Sequence, residues 1–275
     1  HKPEMVVALT EFEGLAGFRT PRTALKALEG IKGNLVAQVR ELLTTRQSPE
    51  ALSDSLDALV SARNDPMVIE DIESSIESVR ERLIHGSAFE RTDQTVLALS
   101  DQHPGDPGVL ASMLLNRFSL NPGESVYLSP GEVHAYLSGL AVEVMASSDN
   151  VLRAGLTTKR VDTEALFECA SFVPRPPVVP VREVIGEHGQ VVGHNPGVEE
   201  FILWTIDASS TSCVEVPGDG PRIVFLIDGR MSVKRRAAPH KEALPLLSGQ
   251  AVLVPHAAGA VDLVGSGHAV CVGVP

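Results

Sequence analysis

The 275-residue sequence predicts a mainly β protein that carries a helical insertion. From Leu120 onward, short runs of β-type residues alternate with Gly, Pro, Asn and Asp, a pattern typical of a sandwich or jelly-roll barrel. Between residues 21 and 102, apolar residues instead recur every three to four positions, which indicates amphipathic helices. We therefore expect a short β opening, a helical domain and a long β region.

Composition narrows the class of protein. Apolar residues make up 43% and charged residues 21%, which is ordinary for a globular chain with a core. The formal net charge of −12 argues against a nucleic-acid or anionic-membrane surface. No apolar run approaches the ~18 residues of a membrane span, and the opening residues lack the pattern of a signal peptide. Three separated cysteines without C-x-x-C spacing indicate reduced thiols, so we expect a cytoplasmic protein.

The helical segment shows a repeated start and an apolar stripe. The stripe in residues 69–83 alternates steps of three and four and predicts one buried helix face, made of Ile69, Ile72, Ile76, Val79 and Leu83. Capping residues followed by proline predict four helix starts, and hence four or five short helices that end near residue 105. These starts are Thr20-Pro21, Ser48-Pro49, Asp65-Pro66 and Asp106-Pro107.

Two β domains are expected around this helical part. The proline-rich residues 174–180 predict a stiff extended connection between two β units. We place one β domain at residues 1–20 and 106–165, the helical domain at 21–105 and a second β domain at 166–275. In the second domain, Asp228-Gly229 predicts a hairpin turn, and His256 and His268 have no ligand partners nearby in sequence.

The densest polar cluster in a β context spans residues 130–159. In strand geometry His134 and Tyr136 share a face, with Glu143 on the following strand. A turn at Asp149 would bring Arg153 back towards the same side. Arginine and lysine can hold a phosphate, and His with Glu can hold a divalent metal. From spacing alone, however, a single strand histidine is more often half-exposed than a ligand.

Three segments of the sequence favour a ligand role for this histidine. Residues 1–19 (HKPEMVVALTEFEGLAGFR), 134–139 (HAYLSG) and 143–157 (EVMASSDNVLRAGLT) resemble the type I mannose-6-phosphate isomerases, and the layout is similar over essentially the whole chain. The resemblance implies two cupin-like jelly-roll domains, catalytic and C-terminal, with the α-helical domain between them. It also implies a cytoplasmic, monomeric isomerase of mannose and carbohydrate metabolism, on the route to GDP-mannose, which acts on a small sugar phosphate.

The resemblance further implies a site. Members of that family hold one zinc through a Gln-x-His pair, a Glu and a second His. The zinc-binding Glu and the second His match Glu4 and His134, the catalytic arginine matches Arg153, the lysines of the sugar-phosphate pocket match Lys2 and Lys159, and a pocket acid matches Asp149.

The Gln-x-His pair is the main departure from the family pattern. Neither Gln-x-His nor His-x-His occurs in these residues, so two of the four expected zinc ligands lie outside this sequence. Because a zinc site normally needs three or more protein ligands, we expect this polypeptide alone to bind zinc weakly. We interpret the chain as an isomerase that lacks its N-terminal segment. Val133 and Thr158 replace prolines usual in the family and affect loop geometry only.

The implied reaction interconverts mannose 6-phosphate and fructose 6-phosphate through an enediol-type proton transfer. Arg153, a permanent cation, suits transition-state charge stabilisation. The general base stays open among Lys2, His1 and Asp149. Two other classes remain: a metal-free sugar-phosphate-binding module that has lost half its zinc ligands, and a different cupin metalloenzyme such as an oxygenase, which usually relies on a close His-x-His pair.

Overall fold

The computed structural model describes residues 1–185, 191–208, 213–238 and 240–275. The first β unit consists of two three-stranded antiparallel sheets, with strand orders β4-β1-β6 and β3-β2-β5. Apolar residues of β1 to β4 form a shared core between the two sheets. The strands are β1 (Glu4–Ala8), β2 (Phe12–Phe18), β3 (Leu115–Leu120), β4 (Ser125–Leu128), β5 (His134–Ser138) and β6 (Ala141–Met145).

Strand β1 is covered on both faces, which explains its uninterrupted apolar run. Val6 and Ala8 lie in the core between the two small sheets. Met5 and Val7 point the other way, into a cluster with residues of the C-terminal sheet. Glu4, at the start of the strand, pairs with Leu128 of β4 and Met145 of β6. The strand is therefore held by packing from both β units.

Five helices between residues 21 and 102 form the predicted insertion, and a short sixth helix follows. Their buried faces share a core with Leu15 and Phe18 of β2. In the apolar stripe, Ile72, Ile76 and Val79 are buried, whereas Ile69 is 47% exposed, contrary to prediction. The helices are α1 (Pro21–Ala27), α2 (Asn34–Thr45), α3 (Pro49–Ser61), α4 (Val68–His85), α5 (Glu90–Gln102) and α6 (Gly108–Ala111).

Two of the four predicted helix starts are confirmed, at Pro21 and Pro49. The other two helices begin later than predicted, because the aspartate before each proline accepts a hydrogen bond from the second residue after it. Asp65 Oδ1 accepts from Met67 N, and α4 begins only at Val68. Asp106 Oδ1 accepts in the same way from Gly108 N, where α6 begins. These Asx-type turns replace the expected first helical turn.

The C-terminal part forms an eight-stranded antiparallel sheet that encloses its own apolar core. The extended connecting segment, residues 170–180, leads into it along the first β unit, where Tyr127 and Val178 form a β-bridge. No helix of the described ranges is long and apolar enough to cross a membrane. The elements are α7 (Thr163–Cys169), β7 (Val181–Ile185), β8 (Val191–Asn195), β9 (Ile202–Ala208), β10 (Cys213–Glu215), β11 (Arg222–Arg235), β12 (Leu244–Leu247), β13 (Ala251–Val254) and β14 (Val261–Gly273).

The hairpin predicted at Asp228-Gly229 is wrong. Both residues lie inside the long strand β11, which pairs with β14 and shifts register between Leu226 and Asp228. Gly229 has φ +92°, and a Cβ there would lie 2.2 Å from the carbonyl oxygen of Ser266. The glycine thus permits a bulge and a close approach of two strands, the other common use of glycine in a sheet.

Candidate active site

A cavity of about 600 Å³ lies where the first residues of the chain, β5 and β6 meet. Lys2, Glu4, His134, Tyr136 and Glu143 contribute polar groups to its wall. Further lining comes from residues 150–152 and from α7. The cavity wall is thus formed by the residues before β1 and by side chains of β1, β5 and β6, strands whose backbone is held by sheet pairing.

Lys2 and Glu4 form an ion pair at this wall. Strand alternation places the two side chains on the same side of the chain. Lys2 Nζ donates to Glu4 Oε1 at 3.1 Å, and the side chains are only 14% and 12% exposed. One carboxylate oxygen is therefore oriented by the lysine, and Oε2 is the oxygen that a cation or a substrate hydroxyl can engage.

The His134 ring is oriented by its own loop. Nδ1 donates to the carbonyl oxygen of Glu132 at 2.8 Å. This hydrogen bond selects the tautomer with the proton on Nδ1, so Nε2 carries the free lone pair. Metal-binding histidines are commonly oriented in this way, with one ring nitrogen bonded to a carbonyl. The ring also lines the cavity, as its position on β5 predicts.

Tyr136 of β5 and Glu143 of β6 form a hydrogen-bonded pair that is not part of the site predicted from the sequence. Tyr136 Oη donates to Glu143 Oε1 at 2.5 Å. Burial, and then the hydrogen bond to the carboxylate, raise the pKa of Tyr136 above its ordinary value. The phenol therefore stays protonated and acts as a donor. Strand alternation predicts the shared face of His134 and Tyr136, whereas the hydrogen bond from Tyr136 to Glu143 depends on tertiary packing.

Arg153, Asp149 and Lys159 lie on the irregular segment after β6, and none of them is among the residues that line the cavity. Asp149 and Lys159 are exposed and Arg153 is half-buried. The neighbours Leu152 and Ala154 do line the cavity, so the segment passes along it. The structure therefore brings together Lys2, Glu4 and His134, and the roles of the other three stay predictions.

The donors of Glu4 and His134 fit zinc, which binds carboxylate oxygen and imidazole nitrogen. Both side chains line one cavity, and each has its other polar atom held by a neighbour. Within the described residues, no group of three or more His, Cys, Asp or Glu side chains is gathered where it could hold a metal ion. Glu4 and His134 thus bring a carboxylate and an imidazole to one cavity, and their role as zinc ligands stays a prediction.

Comparison with known proteins decides the family. No family model matches the chain. It is 31% identical over 271 residues to mannose-6-phosphate isomerase from Bos taurus, an alignment that covers 92% of this chain and 63% of the relative. It is 32% identical over 252 residues to mannose-6-phosphate isomerase 1 from Arabidopsis thaliana, covering 86% and 57%. The chain belongs to the mannose-6-phosphate isomerase family.

Solved structures agree with this assignment. A zinc-bound crystal structure of mannose 6-phosphate isomerase matches with a TM-score of 0.81 at 27% identity, over all of this chain and 66% of that one. A variant of phosphomannose isomerase from Salmonella typhimurium matches with a TM-score of 0.82 at 26% identity, with the same coverage. The mainly β, cupin-like fold with a helical insertion is confirmed. The chain spans 57 to 63% of the length of the two curated mannose-6-phosphate isomerases above.

Proposed function

We propose that this chain forms the larger part of a zinc-dependent mannose-6-phosphate isomerase, a cytoplasmic monomer on the route to GDP-mannose. The observation that carries the proposal is the cavity in which Lys2, Glu4 and His134 meet, in a chain homologous to mannose-6-phosphate isomerases. The family resemblance assigns Glu4 of β1 and His134 of β5 to zinc binding, and Lys2, just before β1, to sugar-phosphate binding.

Glu4 and His134 would supply two of four zinc donors, and a Gln-x-His pair outside these 275 residues would supply the others. When bound there, zinc would act as a Lewis acid towards a carbonyl or hydroxyl oxygen of the sugar. His134 is prepared for this by its Nδ1 hydrogen bond, which leaves Nε2 as the donor atom. Lys2 orients the Glu4 carboxylate from its other side.

The chemistry is a proton transfer that needs no oxidant or reductant. A base removes the proton on C2 of the aldose while O1 is protonated, which yields the enediol. Loss of the O2 proton and protonation of C1 then give the ketose. Lys2 and His1 both line the cavity and each pairs with a glutamate, but the His1 side chain is 68% exposed and the Lys2 side chain only 14%. We favour Lys2 as the group nearer the reacting carbons.

The phosphate and the developing negative charge need cations. We assign Lys159 to the phosphate and Arg153 to transition-state charge, with Asp149 as a pocket acid on the same segment. Both cations lie on the segment that passes along the cavity. Replacement of Lys159 by alanine in the full-length enzyme should raise KM for mannose 6-phosphate and reduce the preference for a phosphorylated sugar; an unchanged KM would contradict this role.

The central test uses the full-length protein. Zinc content by elemental analysis and isomerisation by a coupled assay should show one zinc per chain and activity. Glu4→Gln should lose most of both, because an amide is a poorer zinc ligand than a carboxylate. Glu11→Gln is the matched control, since Glu11 is an exposed glutamate just beyond β1. Activity that persists in Glu4→Gln without zinc would overturn the proposal.

The second candidate is a metal-free module that binds sugar phosphate. It is favoured by one observation: the described residues gather fewer than three candidate metal donors at any point. Calorimetric titration of mannose 6-phosphate into chelator-treated full-length protein separates the two. Binding without zinc, and no turnover after zinc is restored, would support the module, whereas turnover restored by zinc would support the isomerase.

A further inference from the structure

The turn before β5 is built by its own residues. Pro130 and Gly131 occupy its centre, with Gly131 at φ +76°, as in a type II turn. Glu132 N donates to the carbonyl oxygen of Ser129 at 3.0 Å. In return, Ser129 N donates to Glu132 Oε2 at 3.1 Å. This closed turn leads directly into His134.

The Glu132 carboxylate is buried and paired with an arginine from the connecting segment. Its side chain is only 1% exposed, and Arg175 Nη2 lies 2.5 Å from Oε2. Burial of a carboxylate without a partner is costly, so the arginine sustains the buried position of Glu132. Oε1 has no hydrogen-bond partner among the described residues, which makes the contact with Arg175 the main compensation for this charge.

The backbone of the connecting segment is itself anchored around the turn. Arg175 N donates to the carbonyl oxygen of Phe18 at 3.2 Å, and Asn116 Nδ2 donates to the carbonyl oxygen of Arg175 at 2.7 Å. Ser171 N donates to the carbonyl oxygen of Gly131 at 2.8 Å. Arg175 is thus presented by a rigid support rather than by a free loop.

The turn contacts the cavity-lining residue His134 through one backbone atom, the carbonyl oxygen of Glu132. The carbonyl oxygen of Glu132, whose side chain is held by Arg175, accepts the Nδ1 proton of His134. A shift of Glu132 would therefore move the group that selects the tautomer and angle of the ring. We infer that Arg175 is a positioning residue, which acts through Glu132 to hold His134 with Nε2 directed to the zinc and sugar-phosphate cavity.

The inference rests on the proposed function, because that function makes Nε2 of His134 a zinc ligand. The tautomer of the His134 ring, however, can be measured without an activity assay. In metal-free full-length protein labelled with ¹⁵N, the two-bond ¹H–¹⁵N spectrum at one pH should show His134 as the Nδ1–H tautomer. Arg175→Ala should shift this signal towards a mixture of tautomers. Arg175→Lys should retain most of the original signal, because a cation still faces the carboxylate. Arg46→Ala, which removes an exposed arginine paired with Asp54, should leave it unchanged.

Metal binding provides the second measurement. Arg175→Ala should weaken zinc affinity or kcat by about 10- to 100-fold, the usual effect of losing a group that orients a ligand. The thermal midpoint of each variant shows whether it is folded, and Arg175→Lys gives a milder variant if Arg175→Ala is not. An unchanged His134 signal and unchanged zinc affinity in a folded Arg175→Ala protein would overturn the inference. Absence of zinc and activity in the unmodified protein would instead overturn the proposed function.

Discussion

The buried position of His194 changes the pKa of its side chain. It lies on β8 with no exposed surface, and its Nδ1 is 2.9 Å from Ser125 Oγ on β4. Nε2 is buried and has no hydrogen-bond partner among the described residues. Burial, with a smaller contribution from the charge of Arg182, lowers the pKa of His194 to about 4. The ring is therefore neutral at pH 7 and packs between the two β units.

This lowered pKa predicts a loss of stability in acid. Below about pH 6.5, the ordinary pKa of histidine, the unfolded chain binds a proton at His194, whereas the folded chain does not bind it until about pH 4. The contribution of His194 to the free energy of unfolding is therefore complete above pH 6.5 and is lost progressively as the pH falls to about 4. The full loss is about 3 kcal/mol for a shift of this size. Denaturant unfolding at pH 7 and pH 4.5 should show a smaller pH dependence in His194→Asn than in the unmodified protein.

The control for this prediction is His85→Asn, since His85 is an exposed histidine at the end of α4. It should leave the pH dependence of the free energy of unfolding unchanged. Equal pH dependence in His194→Asn and the unmodified protein would show that His194 is not held neutral by burial.

At the scale of the element, α2 is capped from a distant point in the sequence. Its first residue follows Gly33, and no side chain at the cap position bonds to its N-terminus. Instead Asp71 of α4 accepts from Asn34 N at 2.5 Å and from Leu35 N at 2.9 Å. A carboxylate at this position satisfies free N–H groups and interacts favourably with the helix dipole.

Loss of this cap should destabilise the helical domain. We expect Asp71→Ala to lower the free energy of unfolding by about 0.5–2 kcal/mol, as other cap removals do. Glu73→Ala removes an exposed acidic residue of the same helix and should have little effect. Denaturant unfolding of both variants tests this; equal stabilities would mean that α2 does not depend on Asp71.

Gly229 in the bulge of β11 and Gly249 between β12 and β13 form a matched pair of glycines. Gly229 and Gly249 both have positive φ, +92° and +80°, but a Cβ at Gly229 would lie 2.2 Å from Ser266 O, whereas at Gly249 nothing lies within 4 Å. Both alanine variants suffer backbone strain of about 1 kcal/mol. Gly229→Ala should lose clearly more stability than Gly249→Ala, because β14 must also move. Similar thermal midpoints would indicate that the strands adjust freely at the bulge.

At the scale of the whole molecule, β1 joins the two β units and carries Glu4 at its start. Met5 and Val7 pack against Phe201, Leu203 and Val270 of the C-terminal part. The strand that presents a candidate zinc ligand is therefore supported from a sheet that follows almost 200 residues later in the chain. The C-terminal sheet packs against β1, and none of its described residues lines the cavity.

This arrangement predicts a coupling between the units. Phe201→Ala removes a buried ring, 2% exposed, and should cost about 3–5 kcal/mol. The hydrogen-exchange rates of the Met5 and Val7 backbone amides should rise in this variant. Leu246→Ala, also at a 2% exposed position but within the core of the C-terminal unit, should destabilise that unit with less effect on β1. Equal exchange at β1 in both variants would argue against the coupling.

Local pattern accounts for much of the fold. The fold class and the helical insertion follow from the spacing of apolar residues, because that spacing shows which faces of an element are buried. The first residues of α2 and α4 cannot be predicted from that spacing. Asp65 bonds to its own turn, and the cap of α2 comes from a residue 37 positions from Asn34. The bulge at Gly229 depends likewise on the approach of β14.

The candidate site divides in the same way. Residue order alone establishes the family motifs, and strand alternation places Lys2 beside Glu4 and His134 beside Tyr136 on shared faces. Tertiary packing establishes that these residues line one cavity and that the segment with Arg153 lines it through Leu152 and Ala154 rather than through Arg153. It also sets the His134 tautomer through Glu132 and Arg175, which are 43 residues apart. No local periodicity encodes such a contact, because it exists only once the connecting segment has packed against the first β unit.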